Sequence, residues 1–475
     1  MAPGSENRPT TDKPNILFFF TDDQRFDTIC ALGYDQVSTP NIDRLVARGV
    51  SFVNAYIMGG SCGAVCMPSR AMLMTGRTLY HLEGQGQGIP EHHVLLGEAL
   101  QQAGYATFGT GKWHNGPAAY ARSFTAGDEI FFGGMEDHWN VPACRFDPTG
   151  QYDLQQPVVK DAWNSNEVTY RRCDHICPGK HSSELFAEAA VEFLDNYDAE
   201  QPFFMYLSFM APHDPRTMPR EFLEMYDPDD IELPPNCYPE HPFDNGEMRV
   251  RDEKLAPWPR TPKEVRRHTA EYYAMISHLD AQIGHVLEAL ERTGQAGNTI
   301  IVLAGDNGLA IGRHGLMGKQ NMYDHSLHVP LLISGPGVPA DKQSDAYCYL
   351  LDIYPTLCDL VGVPIPETVE GKSLVPALQG NGTIRDTLLF AYRGIQRAVQ
   401  DRQYKLIEYV VEGKRTTQLF ELQADPSEIN DLSHEPFLVG HVGRLRQELR
   451  RWQTELGDTQ PGQGQDFWEG FDGSP

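Results

Sequence analysis

The stretch SCGAVCMPSRAMLMTG, residues 61 to 76, sets two cysteines four residues apart and follows the second at once with Met-Pro-Ser-Arg. Pro68 suits the first turn of a helix, where a missing N–H costs nothing, and Gly76 suits its close. Cys66 is therefore expected at a helix N-terminus, whose free N–H groups lower a thiol pKa and attract a tetrahedral oxyanion. Arg70, one turn on, adds a bidentate donor. A Cys62–Cys66 crosslink or two core thiols fit the same spacing.

Asp22-Asp23 in TDDQR and Asp306-Asn307 in GDNG together offer three carboxylates and an amide oxygen. These are the donors that Ca²⁺ or Mg²⁺ prefers, and they leave coordination room for a substrate oxygen. Neither motif contains His or Cys, which argues against zinc. Lys112 and His114 in GKWH share a face if that segment stays extended. His213 in APHDP and Lys319 in HGLMGKQNMYDHS complete the set, although each of these four taken alone reads equally as a surface or turn residue. Cys173-Asp-His-Ile-Cys177, with His181 nearby, matches no ordinary zinc finger and reads as a loop disulfide or free thiols. Asn381-Gly-Thr383 fits a glycosylation acceptor or a turn.

What joins these residues is their place at strand ends. NILFFF (15 to 20) is an apolar run too short for an ordinary helix and reads as a buried parallel strand. YATFGTGKWH (105 to 114), PFFMYLSFMAPHDP (202 to 215) and NTIIVLAGDNG (298 to 308) repeat the plan, running from apolar into ionisable residues. Helical periodicity fills 182 to 197 and 262 to 294. Strands alternating with helices imply an α/β sheet, whose ligands bind beyond the carboxyl ends of the parallel strands. Segments 115 to 181 and 214 to 261 lack periodicity and are expected to wall the pocket. After about residue 385 the texture changes to short strands and a helix near 436 to 457. This divides the chain into a catalytic part, 1 to 385, and a smaller antiparallel-sheet part, 386 to 475. The tail from Asp458 reads as a loose end unless Phe467, Trp468 and Phe471 dock it.

The chain has 475 residues, 65 acidic against 39 basic, for a formal charge of -26. That balance argues against a general grip on nucleic acid or an anionic membrane, and means that local cations must capture any anionic substrate. No apolar run approaches a membrane span and the start lacks a secretory pattern, so the chain as given is expected to be soluble. Its location is periplasmic or extracellular if a leader was removed, and otherwise cytoplasmic. Nine cysteines leave at least one outside any intramolecular disulfide, and the remaining eight fit bridges or reduced core thiols.

Cys66-Met-Pro-Ser-Arg70 matches the C-x-P-S-R signature of type I sulfatases, and TDDQR, GKWH, APHDP, GDNG and the GKQNMYDHSLHVPLLISGPG segment follow in that family's order. The chain resembles this family over nearly its whole length, through DPSEINDLS. The resemblance implies the alkaline phosphatase superfamily fold: a large α/β domain with a mainly parallel sheet flanked by helices, and a smaller C-terminal α+β domain with an antiparallel sheet. It implies that a maturation enzyme oxidises Cys66 to a formylglycine nucleophile. Asp22, Asp23, Asp306 and Asn307 would bind Ca²⁺, with Mg²⁺ as the alternative. Arg70 and Lys112 would hold the formylglycine hydrate, His114 would take the proton that lets sulfate leave, and Lys319 would bind the sulfate. His213 would contact the ester oxygen and protonate the departing alcohol. A sulfated carbohydrate is the implied substrate, with Trp139, Arg145, Trp163, Arg216 and Trp258 as residues able to stack on or pair with it. Two other readings compete: a phosphatase or phosphonate monoester hydrolase of the same superfamily, and a glycan-binding protein whose Cys66 is never matured.

Overall fold

The computed structural model describes residues 13 to 159, 161, 163 to 380 and 382 to 473; the first twelve residues and the acceptor candidate Asn381 lie outside it. Asn15–Thr21 (β1) runs through the middle of an eight-stranded sheet. Its apolar run shows no alternation because both faces are covered. Ile16, Phe18 and Phe20 enter one core, and Leu17 and Phe19 enter the other.

The other strands are Gly49–Phe52 (β2), Ala106–Lys112 (β3), Ala126–Phe131 (β4), Phe203–Ser208 (β5), Thr299–Gly305 (β6), Leu331–Ser334 (β7) and Lys342–Ser344 (β8). Their order is β8-β2-β7-β6-β1-β5-β3-β4. From β6 to β4 neighbours run parallel, whereas β7 lies antiparallel between β6 and β2. The four strands expected from sequence are thus adjacent, and their carboxyl ends open on one edge. The edge strand β4 lies inside the segment read as lacking periodicity. Helix Cys66–Thr75 (α1) packs on the Phe18 face, while Ser182–Asn196 (α2) and Pro262–Arg292 (α3) pack on the Phe19 face. Thr261 caps α3 by accepting from Glu264 N, with Pro262 at the first helical position.

The second sheet is an antiparallel meander of Leu388–Tyr392 (β9), Gln396–Gln400 (β10), Tyr404–Val411 (β11) and Lys414–Glu421 (β12), backed by Val439–Leu456 (α4). A fifth strand, Gly59–Gly60, joins it from far upstream and pairs parallel to β9. Gly59 sits at φ 102°, and a Cβ there would lie 2.1 Å from Ala391 O, so only glycine permits this approach. The tail from Asp458 is docked, not loose. Gly464–Gly473 (α5) buries Phe467, Trp468 and Phe471, and Asp458 accepts two hydrogen bonds from Arg397 and one from Trp468 Nε1.

All nine cysteines are free, so neither the Cys62–Cys66 nor the Cys173–Cys177 bridge is formed. No helix among the described residues is long and apolar enough to cross a membrane.

The two sheets are clasped by a buried ammonium. Lys405 Nζ on β11 donates to Asp324 Oδ1 at 2.7 Å and meets Glu428 Oε1 at 2.8 Å, with none of its side chain exposed. Lys405→Met would leave two carboxylates buried without their cation. Urea unfolding should show a loss of about 3–5 kcal/mol, the cost of breaking a buried ion pair from one side.

Candidate active site

Cys66 is the first residue of α1 and is buried, as the Pro68 signal implies. The helix is enclosed almost all round, so its polar side chains need protein partners. They find them at strand ends. Ser69 Oγ donates to Asp306 O at 2.6 Å. Arg70 Nε donates to Asp306 Oδ2 at 2.8 Å, and its Nη1 donates to Lys112 O at 3.1 Å and Ser208 Oγ at 2.6 Å. Its Nη2 has no hydrogen-bond partner among the described residues and lies 3.9 Å from Asp22 Oδ2.

Around the Cys66 thiol stand the other predicted groups. Lys112 Nζ donates to Asp22 Oδ2 and to Gly134 O, and lies 3.7 Å from Cys66 Sγ. His114 Nδ1 lies 3.5 Å from the same sulfur. The two do not share a strand face as expected: β3 ends at Lys112, and His114 turns at φ 71° to bring its ring back. A Cβ on Gly134 would stand 2.9 Å from the His114 ring, so the absence of a side chain there makes room for it. Lys319 Nζ pairs with Asp23 Oδ1. His213 Nδ1 donates to Asp214 O at 2.7 Å, which turns Nε2 toward Asp23 Oδ2 at 3.7 Å.

Burial pushes the Cys66 thiol up to about 11, although Lys112 and Lys319 pull the other way. The helix N-terminus therefore does not yield a reactive thiolate, which corrects the expectation of a lowered pKa. Burial, aided by Lys112 and Arg70, holds His114 well below its ordinary value and leaves its ring neutral. Burial opposes the charge on Asp22, but Lys112 and His213 outweigh it and hold this carboxyl well below the usual range. Asp306 is displaced upward, by burial first and then by the neighbouring charge of Asp22.

Asp22 Oδ1, Asp23 Oδ2 and Asn307 Oδ1 are buried with no hydrogen-bond partner among the described residues. The Asn307 amide is oriented by its own NH₂, which donates to Asp23 Oδ1 at 2.6 Å and Gly308 O at 3.0 Å. Three orphaned oxygens beside Asp306, two of them carboxylate, fit a hard divalent cation.

Several positioning groups escaped the sequence reading. Tyr272 on α3 donates its hydroxyl to Asp23 O at 2.6 Å and accepts from Arg25 N at 2.9 Å. His138 Nε2 donates to His213 O at 2.9 Å, while its Nδ1 accepts from Ser182 Oγ at 2.7 Å. Ser208 carried a weak signal as the polar end of an apolar strand, whereas Tyr272 and His138 carried none. Most of the suggested sugar contacts are engaged elsewhere or exposed. Trp139 packs edge-on against His181, Trp258 stacks with Arg260, Arg145 is exposed, and Trp163 is 96% exposed. Arg216 lies three residues beyond His213 and feels the charge of Asp214 first and of Asp23 after Glu271 and Tyr272.

Comparison with known proteins gives the same outline. The profile of the Sulfatase family matches residues 14–363, and that of the N-sulphoglucosamine sulphohydrolase C-terminal region matches residues 312–455. A sulfatase of Formosa agariphila is 29% identical over 90% of this chain and 84% of its own length. An N-acetylglucosamine-6-O-sulfatase of Bacteroides thetaiotaomicron is 25% identical over 95% of this chain and 88% of its own. Among solved structures, one in complex with its substrate D-glucosamine-2-N,6-O-disulfate superposes with TM-score 0.77 at 23% identity, covering 95% of this chain and 99% of that one.

Tyr272→Phe tests the support beneath Asp23. Removing one hydroxyl strands a buried N–H and a buried carbonyl, and thermal or urea unfolding should report a loss of about 1–3 kcal/mol.

Proposed function

This chain belongs to the sulfatase family and is a sulfuric ester hydrolase of alkaline phosphatase-like fold, and from that premise we propose that it hydrolyses a sulfate ester of a sulfated carbohydrate through a formylglycine made from Cys66. The observation that carries this reading is the convergence of Lys112, His114 and an oxygen-lined pocket on a thiol that is not itself activated. A thiol held protonated is a poor nucleophile, and an S-sulfonate formed on it would carry no second hydroxyl to expel the sulfate. Oxidation by a maturation enzyme to the aldehyde, then hydration, gives two hydroxyls on one carbon.

One hydroxyl gives its proton to a carboxylate of the site and attacks sulfur, and the ester oxygen leaves with its bond electrons. His213 donates a proton to that oxygen from Nε2 in the state in which both ring nitrogens carry protons, since Nδ1–H is engaged by Asp214 O. The second hydroxyl then gives its proton to neutral His114, the carbonyl re-forms, and sulfate departs. Arg70 and Lys112 hold the hydrate, and Lys319 holds a sulfate oxygen. Asp22, Asp23, Asp306 and Asn307 would hold Ca²⁺, or Mg²⁺ in its place. Such a cation, when bound, acts as a Lewis acid that stabilises charge developing on the sulfate oxygens. The lysines and Arg70 gather positive charge at one point of a chain with net charge -26, which lets an acidic protein receive an anion. The carbohydrate assignment draws support from the relative named for N-acetylglucosamine 6-O-sulfate hydrolysis.

In protein made with a competent maturation enzyme, mass spectrometry of the tryptic peptide Gly49 to Arg70 should find an aldehyde or its hydrate at Cys66. Cys66→Ala should lower sulfate release by roughly 10⁴–10⁶-fold, and unchanged turnover would sink the mechanism. Dialysis against a chelator should abolish turnover, with Ca²⁺ or Mg²⁺ restoring it. Asn307→Ala should raise the cation concentration needed for half-restoration about tenfold or more, measured as activity against free cation.

A further inference from the structure

Arg216 presents an electrostatic problem that the reaction above does not solve. Its Nη1 donates to His268 Nδ1 at 2.7 Å, while its Nε and Nη2 are sealed from solvent without a hydrogen-bond partner among the described residues. The adjacent carboxylate, Asp214, is paired with Arg251 and lies 3.6 Å from His213 Nδ1. His268 does not supply the missing charge. Its Nε2 meets Arg267 Nη2 at 2.9 Å, so two guanidinium donors face a ring that has one acceptor nitrogen when neutral. A guanidinium cannot shed its proton, so the charge stays. Asp214 and Glu271 act on this charge from beyond ion-pair range, and neither satisfies Nε or Nη2. Enclosing a guanidinium with donors unmade is costly, and such a cost persists where a ligand supplies the partner.

The location says which ligand. Arg216 follows His213 by three residues, and His268 stands one turn of α3 before Tyr272, whose hydroxyl touches Asp23 O. After Asp214, Glu271 and Tyr272, Asp23 is among the groups that act on the Arg216 guanidinium. Arg216 therefore stands beside the reaction centre, and part of the residue remains open to solvent. Lys112 and Lys319, by contrast, are already engaged with Asp22 and Asp23.

We infer that Arg216 forms a second anion subsite, which receives a carboxylate or a second sulfate on the same sugar that presents its ester to residue 66. This rests on the sulfatase reading, and it narrows the substrate to a carbohydrate with at least two anionic groups. The planar fork of arginine suits a two-oxygen contact with either group.

The test uses the matured full-length protein and four probes: 4-nitrophenyl sulfate, N-acetylglucosamine 6-O-sulfate, glucosamine with N- and 6-O-sulfates, and a sulfated disaccharide bearing a hexuronate. Wild-type kcat/KM should favour probes with a second anion by about 10–100-fold, the worth of a charge-assisted hydrogen bond. Arg216→Met should erase that ratio, and Arg216→Lys should restore part of it. Preference for the disulfate identifies sulfate as the second group, and preference for the hexuronate identifies carboxylate. Equal losses on every probe, as a purely structural arginine would give, overturn the subsite, as does a wild type indifferent to the second anion. A matured wild type silent on all four overturns the sulfatase reading, and the subsite with it.

Discussion

One buried guanidinium fixes the geometry on which everything else depends. Arg70 reaches out of α1 to Asp306 beyond β6, to the carbonyl of Lys112 at the end of β3 and to Ser208 at the end of β5, and stacks over Phe20 of β1 at 4.9 Å. A charge with none of its side chain exposed tolerates little displacement, because each lost partner exposes it to an apolar interior. The four strand ends are thereby held to one another and to the helix that begins at Cys66. Ser69, bonded to the backbone of Asp306, fixes the same helix a second time.

The smaller sheet takes part in this arrangement. Its fifth strand, Gly59–Gly60, lies six residues before Cys66, so the loop that leads to Cys66 is braced by β9. From the other side Lys405 grips Asp324, five residues after Lys319. The C-terminal region thus constrains the segments that carry Cys66 and Lys319, although none of its described residues is among the groups around the thiol. Its antiparallel order and position at the end of the chain are those of an appendage, while its contacts are those of a buttress.

The central strands were legible because a strand covered on both faces must be apolar throughout, and NILFFF or NTIIVLAG can hardly be anything else. The edge strand β4 was not legible. AGDEIF is half exposed and includes Glu129 at φ 49°, a bulged residue that breaks the pattern. All ten residues proposed for the site meet in one place, because strand ends converge whatever the loops do. The manner of meeting was less visible. Alternation along GKWH failed because the chain turns at His114, and the lowered thiol pKa failed because burial outweighed both lysines. Distant supports such as Tyr272 and His138 act through backbone atoms, for which sequence spacing carries no signal. The loop tryptophans illustrate the converse: their place in long loops suggested sugar contact, and Trp139 and Trp258 pack on protein partners.

Gly134 lies in the irregular stretch after β4. Yet its carbonyl accepts from Lys112, and its missing side chain is the space the His114 ring occupies. One position thus serves an ammonium through its backbone and an imidazole through its vacancy. Any side chain there would be felt by both groups at once. The constraint on this loop is therefore uneven, and it falls on this single glycine, which the two side chains beneath it hold in place.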